Sequence, residues 1–344
     1  MKLKHLILLI ISLLLIIGGV LAYNFYLKIY QPNTVKQGEL YIPTNANFEE
    51  VSELVRPFLK RVKPFVWVAK KKNYPGTIKP GKYQISEGMN NNELVNLLRS
   101  GNQKPIMLSF NNQDSLEKLA GRIAVQIEAD STSLLQAFKD EVYQNEIGFN
   151  KATALCMYLP NTYQFYWNTS AEEFRNKMFK EFNRFWTDER LQQAAERKLS
   201  KTEVITLASI VQKETALIEE RPDVAKLYLN RLMDGWPLQA DPTIIYILNK
   251  ISNNSVKIRR VLNKDLKIQS PYNTYLNAGL PPGPIGMPDI SSIEAVLHPA
   301  NHNYYYMCAS VTEVGKHEFA TTLSQHNRNA RKYQNWLNDQ NIRR

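Results

Sequence analysis

The sequence predicts an α+β protein that is held to a membrane by one N-terminal transmembrane helix. Three observations lead to this fold class. An uncharged apolar run over residues 6–23 is long enough to span a bilayer. Short strand-like and helix-like segments then alternate up to about residue 125. From there the pattern is largely helical, which indicates a larger mixed α+β domain in the C-terminal part.

The apolar run also predicts an orientation. Lys2 and Lys4 precede it, which places the N-terminus in the cytoplasm and everything after about Lys28 on the outer face of the cell (inner) membrane. A cleaved signal peptide is the competing interpretation, because Val20-Leu21-Ala22 resembles a small-residue cleavage site. The run is longer than a signal peptide's apolar core of about 7–15 residues, so an uncleaved anchor over residues 1–28 is favoured.

Composition narrows the classes of partner. The formal net charge is +11, from 43 Lys and Arg against 32 Asp and Glu, and 44% of the residues are hydrophobic. A globular body is therefore expected, with an anionic membrane surface or an acidic cell-wall polymer as its partner. Nucleic-acid motifs of the usual kinds are not found, so we expect no nucleic acid.

Metal and nucleophile motifs are missing from the sequence as well. His302, His317 and His326 lack a recognised ligand spacing, and there is no CxxC or GxSxG motif. We therefore expect neither a metal nor a cofactor. The two cysteines, Cys156 and Cys308, are compatible with a disulfide or with free thiols.

Three strand–helix pairs are predicted after the membrane run. The strands are expected at residues 39–42, 81–85 and 106–110. The helices are expected to begin at Asn45 or Asn47, at Asn91 or Asn92, and near Ser115. Farther along, Pro160 should break any helix within the aromatic segment 158–163, which we interpret as a packed connector or a substrate-facing wall.

The helix predicted over residues 201–217 carries the main catalytic candidate. Ser200 and Glu203 form a capping box at its start. Glu214 lies two turns after Leu207, on the apolar face that also carries Val211. Burial there would raise the pKa of the carboxyl, as a general acid near neutral pH requires. The alternative is a solvated glutamate paired with a lysine.

A second helix and three loops follow. Pro222 is expected in the first turn of that helix, Gly235 at its end, and Glu219 and Glu220 near its positive N-terminus. The loops, at residues 238–243, 270–275 and 279–285, combine proline or glycine with amides, hydroxyls and tyrosines. Such loops suit the hydroxyl edges and apolar faces of sugars. They are also typical of rigid turns whose side chains cap local backbone.

Several ordered motifs resemble one family. They are LASIVQKET, RPDVAKLYLNRL, LQADPT, SPYNTY, GLPPGPI, HPANHNYYY and HEFATTLSQHN, and they extend over about residues 156–335. Together they resemble the MltG (YceG-like) endolytic murein transglycosylase family. Upstream, residues 79–101 resemble that family's LysM-like subdomain. The resemblance divides the chain into an anchor at 1–28, a LysM-like α+β subdomain at 36–102, a connecting α+β/helical region at 103–197 and a catalytic domain at 198–344.

The resemblance implies that Glu214 cleaves the β-1,4 bond between N-acetylmuramic acid and N-acetylglucosamine of nascent peptidoglycan without water, leaving 1,6-anhydro ends and terminating strands. The sequence departs from the family pattern at Gln212 and Asn161, where family members often have an acidic residue. Peptidoglycan synthases are the expected protein partners. The candidates for holding the sugars, chosen by residue type, are Gln239, Asp241, Asn273, Thr274 and Tyr275.

Three alternatives stay open at this point. A hydrolytic muramidase would use Asp241 as a second carboxylate. A non-catalytic scaffold would bind the cell wall and would not need Glu214. A charge-driven binder of nucleic acid or lipid would show steep salt dependence.

Overall fold

The computed structural model describes residues 3–252, 258, 260–313 and 315–339. The chain folds into two compact units. Unit 1 comprises residues 1–108, 125–129 and 163–170, and unit 2 comprises residues 109–124, 130–162 and 171–344. Helices and strands occur in both units, which confirms the α+β class.

Helix α1, at Leu3–Tyr30, contains the predicted membrane run and is long and apolar enough to cross a bilayer. Its last turns continue beyond the apolar run and pack against other residues of unit 1. There the Phe25 ring stacks on Trp67 with centroids 5.4 Å apart. The Asn91 side-chain nitrogen donates a hydrogen bond of 2.7 Å to the carbonyl of Lys28. The end of the helix is therefore fixed to the rest of unit 1.

The core of unit 1 lies between one strand pair and three helices. Strands β1 (Gly38–Ile42) and β2 (Gly81–Ile85) pair antiparallel, with Gly38 opposite Ile85 and Ile42 opposite Gly81. The helices are α2 (Phe48–Val55), α3 (Val62–Lys71) and α4 (Asn91–Ser100). The inward residues of strands and helices, such as Leu40, Val51, Phe65, Tyr83 and Leu94, are all buried. Both strands were predicted from the sequence, whereas α3 was not.

The caps in unit 1 follow from their residue types. Asn47 and Glu50 form a capping box for α2, which confirms one of the two predicted starts. Helix α4 begins at Asn91, one of the two predicted starts, and Asn90 rather than Asn91 is its N-cap. Asn91 is instead buried in the first turn and bonded to Asn33. Gly101 ends α4 with a φ of 73°, in the left-handed region that glycine adopts readily.

Unit 2 is mainly helical. Its helices are α5 (Leu116–Ala124), α6 (Ser131–Phe138), α7 (Glu141–Glu146), α8 (Ala171–Phe185), α9 (Asp188–Glu196), α10 (Lys201–Glu214), α11 (Arg221–Met233), α12 (Asp241–Ile251), α13 (Ile290–Leu297) and α14 (Leu323–Asp339). Strands β5 (Tyr306–Ala309) and β6 (His317–Ala320) form an antiparallel hairpin. Strands β3 (Ile106–Phe110) and β4 (Asn161–Phe165) each contain residues of both units.

Two predicted loops contain regular structure. No helix forms at Pro160, as expected, but a strand begins directly after it at Asn161. The segment 238–243 is a loop only as far as Ala240, because Asp241 and Pro242 begin α12. Proline fits the first turn of a helix, where its missing N–H costs no hydrogen bond.

Helix α10 lies at the centre of unit 2. Every residue from Val204 to Val211 is buried, and α11, α12 and α13 all pack against the helix. The predicted capping box of Ser200 and Glu203 is confirmed. The helix ends at Glu214, three residues before the predicted end, because Thr215 adopts an extended backbone with φ −131° and ψ 135°. Glu214 therefore lies where a largely buried helix ends and the chain becomes extended.

Candidate active site

The carboxyl of Glu214 lies in an enclosed position at the end of α10. The residue is half-buried, and its Oε2 atom is buried without a hydrogen-bond partner among the described residues. Burial raises the pKa of Glu214 to about 7, since an ionised carboxylate there would lose its hydration. The positive field of His317 opposes this rise and the negative field of Asp241 adds to it. Glu214 can therefore keep a proton close to neutral pH.

Two residues of α11 contribute to the same carboxyl's environment. Tyr228 and Arg231 are three positions apart, so they lie on one face of the helix. A hydrogen bond with Tyr228 and the positive charge of Arg231 both lower the pKa of Glu214. Arg231 is itself buried, and its Nε donates to the carbonyl of Tyr305 at 2.8 Å. Neither residue was singled out for the site by the sequence analysis.

His317 is held by a second glutamate. Its backbone N–H donates to Oε1 of Glu220 at 2.5 Å, and its Nδ1 lies 2.9 Å from Oε2. Burial alone would raise the pKa of Glu220, but the hydrogen bonds from His317 lower it below its usual value. Glu220 precedes α11, as predicted for its N-terminal end. The pair fixes a histidine whose charge acts on Glu214.

Asp241 and Tyr275, two of the predicted sugar-binding residues, come together beside Glu214. The Tyr275 hydroxyl donates a hydrogen bond of 2.6 Å to Oδ1 of Asp241. The negative charges of both Asp241 and Glu214 act on this tyrosine, whose pKa is raised first by burial. Asp241 is exposed and Tyr275 is half-buried, so their polar atoms are accessible from solvent.

Gln239 lies on the loop before Asp241. Its side chain is exposed, and its backbone is left-handed, with a φ of 50°. The backbone N–H of Gln239 donates to the carbonyl of Thr274 at 2.9 Å. The side chain is thus presented to solvent on a loop whose backbone is fixed.

Asn273 and Thr274 are buried inside the same loop pair. The Asn273 side-chain nitrogen donates to the carbonyls of Leu266 and Ile268 at 3.0 and 2.8 Å. The Thr274 hydroxyl accepts a hydrogen bond from the N–H of Ala240 at 3.0 Å. These bonds position the loops that carry Asp241 and Tyr275. Direct contact of Asn273 and Thr274 with sugar stays a prediction.

Gln212 and Ser209 fix the segment around the third predicted loop. Oε1 of Gln212 accepts hydrogen bonds from the N–H of Asp289 at 3.1 Å and from the hydroxyl of Ser292 at 2.7 Å. The Ser209 hydroxyl accepts a hydrogen bond from the N–H of Ile285 at 3.0 Å. Gln212 therefore anchors the start of α13.

The two cysteines take no part in the interactions described above. Cys156 and Cys308 are both free thiols, and Cys156 is buried. Across the described residues no group of three or more His, Cys, Asp and Glu side chains is arranged to hold a metal. Around Glu214, whose pKa is raised, lie instead the guanidinium of Arg231, the imidazole of His317 and the carboxylate of Asp241, a combination typical of acid–base sites.

Comparison with known proteins extends this assignment. The chain belongs to the YceG-like family, whose model matches residues 40–332. It is 30% identical over 338 residues to a protein of Bacillus subtilis named endolytic murein transglycosylase, covering 93% of this chain and 91% of that protein. A protein of the same name from Streptococcus pneumoniae is 28% identical over 359 residues, and the match spans 63% of its length.

A solved structure agrees with the fold. The crystal structure of a YceG-like protein from Listeria monocytogenes superposes with a TM-score of 0.57 at 28% identity. The match covers 85% of this chain and 98% of the other. Family membership and the overall mixed α+β architecture are therefore established, while the roles of individual residues rest on the geometry of this chain.

Proposed function

We propose that this protein is a membrane-anchored endolytic lytic transglycosylase of peptidoglycan, which cuts glycan strands with Glu214. The observation that carries the proposal is the enclosed Glu214 carboxyl, whose pKa of about 7 lets it donate a proton near neutral pH. The names of the curated relatives support the substrate and the type of reaction.

The reaction needs one acid that later acts as a base. Glu214 protonates the oxygen of the bond between N-acetylmuramic acid and N-acetylglucosamine, and the bond from C1 to that oxygen breaks. The muramic 6-hydroxyl then attacks C1, and ionised Glu214 accepts its proton. The product is a 1,6-anhydro ring, and no water is consumed. Most glycosidases need a second carboxylate, whereas here an internal hydroxyl at high effective molarity replaces it.

The surrounding charges suit both halves of this cycle. Arg231 and His317 stabilise the carboxylate that forms when the proton leaves. Asp241 and burial favour the protonated acid that begins the cycle. Opposing influences of this kind support a pKa near the working pH, which is where acid and base catalysis are both efficient.

The second candidate is a hydrolytic muramidase that uses Asp241. The observation in its favour is an exposed carboxylate whose charge acts on Glu214. Asp241 would then activate water against C1. The two reactions give different products, since an anhydro end is one water lighter than a reducing end.

The test is digestion of purified peptidoglycan by the full-length protein in detergent, with products weighed by mass spectrometry. We expect internal cuts with anhydro-muramic ends from the wild type and none from Glu214→Gln. If the wild type instead produced reducing ends, and Asp241→Asn produced none, the protein would be a muramidase. An intact substrate after treatment with folded wild-type protein would contradict both and leave the wall-binding scaffold.

The proposal also includes the setting of the enzyme. Lys2 and Lys4 support a cytoplasmic N-terminus, with the catalytic part on the outer face of the membrane and close to nascent strands. There it would terminate strands alongside peptidoglycan synthases. The LysM-like character of residues 36–102 and the catalytic domain at 198–344 remain part of this proposal.

A further inference from the structure

Two adjoining cavities open on unit 2 and contain none of the residues used in the proposed reaction. Their volumes are about 210 and 480 Å³. They share Asp114, Ser115, Tyr246 and Lys250 as lining residues. Helix α12 therefore contributes to the wall of both. We call them together the α12 cavity.

The α12 cavity and the candidate active site are built on the same two helices, α10 and α12. Asp241, whose charge acts on Glu214, is the first residue of α12, and Tyr246 lies about 7.5 Å farther along the helix axis. Lys213, the residue before Glu214, lines the smaller cavity. A branch attached to a sugar at Glu214 could thus enter the cavity by following α12.

The charge of the cavity favours an anionic ligand. Its lining includes five lysines and three acids (Lys118, Lys139, Lys151, Lys213 and Lys250, with Asp114, Glu117 and Glu141). Three of the lysines are ion-paired, two with Asp114 and one with Glu117. Lys151 and Lys250 have no ion pair within the described ranges. Both are exposed, which leaves two cations available for carboxylates.

The side-chain oxygen of one buried amide in the larger cavity receives no hydrogen bond from the described residues. Gln144 is only 5% exposed, and its nitrogen donates to the carbonyl of Phe138 at 2.7 Å. Its Oε1 has no hydrogen-bond partner among the described residues. An unmatched buried acceptor costs stability, so an N–H donor from a ligand would be favourable there. Nearby, the rings of Tyr246 and Tyr272 lie 4.8 Å apart and offer an apolar surface.

We propose that the α12 cavity binds the peptide branch of the strand that is cut at Glu214. A peptide supplies what the cavity lacks, namely carboxylates for Lys151 and Lys250 and N–H donors for Gln144. A strand stripped by an amidase keeps only the lactyl carboxylate next to each muramic ring, and it has neither the peptide's N–H donors nor a branch long enough to reach both lysines. The inference rests on the proposed function, and it makes the enzyme selective for strands that still carry peptides.

The first experiment compares two substrates with the full-length protein in detergent. One is peptide-bearing strands, and the other is the same strands after an amidase has removed the peptides. We expect the wild type to prefer peptide-bearing strands about tenfold in kcat/KM, the effect of roughly one good charged contact. The double variant Lys151→Gln/Lys250→Gln should lose this preference and cleave stripped strands at the wild-type rate.

The matched control is Lys180→Gln/Lys332→Gln, which removes the same charge from exposed positions of α8 and α14. It should keep the preference. Equal cleavage of both substrates by the wild type, or a preference that survives in the Lys151/Lys250 variant, would overturn the inference.

Failure of the proposed function is separable from failure of this inference. If the protein cleaves neither substrate, binding of the amidase-released peptides to the full-length protein is measured by calorimetry. We expect the Lys151/Lys250 variant to bind them about tenfold more weakly than wild type and control. Absent or unchanged binding would contradict the peptide site whatever the catalytic result.

Discussion

The end of α10 and the start of α11 each carry a glutamate, and the two are held in opposite ways. Oε2 of Glu214 is buried without a partner among the described residues, and burial raises the pKa of that residue to about 7. Glu220, six residues later, receives hydrogen bonds from His317 on both oxygens. Burial also acts on Glu220, yet these bonds lower its pKa. The availability of donors therefore decides which buried carboxyl keeps its proton.

The difference assigns the two residues separate tasks. A carboxyl that stays protonated near neutral pH can act as a general acid. A carboxylate that is fully hydrogen-bonded is a stable anion, suited to fixing a neighbouring side chain. Environments that push the pKa values of two nearby acids apart are typical of acid–base sites. Glu214 is accordingly the candidate for chemistry, and Glu220 positions His317.

The largest expected effect follows from removing the Glu214 proton donor. Glu214→Gln should lower kcat on peptidoglycan strands by about 10³-fold, because general acid–base catalysis is typically worth that much. The amide has the same shape and carries no charge, so the fold should persist. Glu219→Gln, on an exposed neighbour, is the control and should retain activity. A Glu214→Gln variant that cleaves strands at nearly the wild-type rate would contradict the assignment of Glu214 as the general acid.

A second prediction concerns pH and stability. Because the pKa of Glu214 is about 7 when folded and 4.5 in its unperturbed state, the folded protein binds this proton more tightly. The resulting stabilisation is complete below pH 4.5 and is lost as pH rises through about 7. Its size is up to about 3 kcal/mol in the free energy of unfolding.

Chemical denaturation of wild type and Glu214→Gln across this range provides the measurement. The wild type should lose up to about 3 kcal/mol of unfolding free energy relative to Glu214→Gln as pH rises from 4.5 through about 7. A difference that stays constant would show that the Glu214 carboxyl is solvated. Glu220 does not interfere, because its lowered pKa adds stability that disappears only as pH falls below its ordinary range.

Glu220→Gln should act on stability more than on chemistry. It leaves His317 without its anionic partner in a buried position, at a cost of about 2 kcal/mol. Thermal unfolding near neutral pH measures the loss. Glu203→Gln, on the exposed cap of α10, removes one charge without affecting His317 and should cost less. An unchanged Tm in Glu220→Gln would mean that the pair of Glu220 and His317 does not contribute to the stability of the fold.

The smallest effect is expected at Asp241. Replacing it by Asn removes a negative charge that raises the pKa of Glu214, so the alkaline limb of kcat/KM should move to lower pH. Activity at neutral pH should drop by a factor on the order of a few. Tyr275→Phe keeps the charge and removes only the hydrogen bond, so its limb should stay near that of the wild type. If kcat/KM of Asp241→Asn instead fell off at a higher pH than in the wild type, the charge of Asp241 would not raise the pKa of Glu214.

Local patterns explain what the sequence could predict. Residue type and spacing suffice for the capping box at Ser200, because both partners lie within one turn. They also suffice to place Glu214 on a buried face, since helix periodicity is a local property. The start of α12 was missed although Asp241-Pro242 is a valid signal, because the same residue types also favour turns.

Long-range partners explain what it could not predict. Glu220 and His317 are 97 residues apart, and no local pattern links them. The same holds for Gln212 and Ser292, which meet only when α13 packs on α10. Residue type alone also did not separate Asn273, whose amide binds neighbouring carbonyls, from Gln239, whose side chain faces solvent. Amides serve both purposes equally well.

The most direct test of the central claim is a titration of the Glu214 carboxyl itself. The full-length protein with isotope-labelled glutamate side chains would be followed by NMR as pH is varied, with Glu214→Gln assigning the resonance. We predict one glutamate carboxyl that titrates near pH 7 and is missing from the variant. Titration of every glutamate below about pH 5, as for solvated carboxyls, would contradict the account.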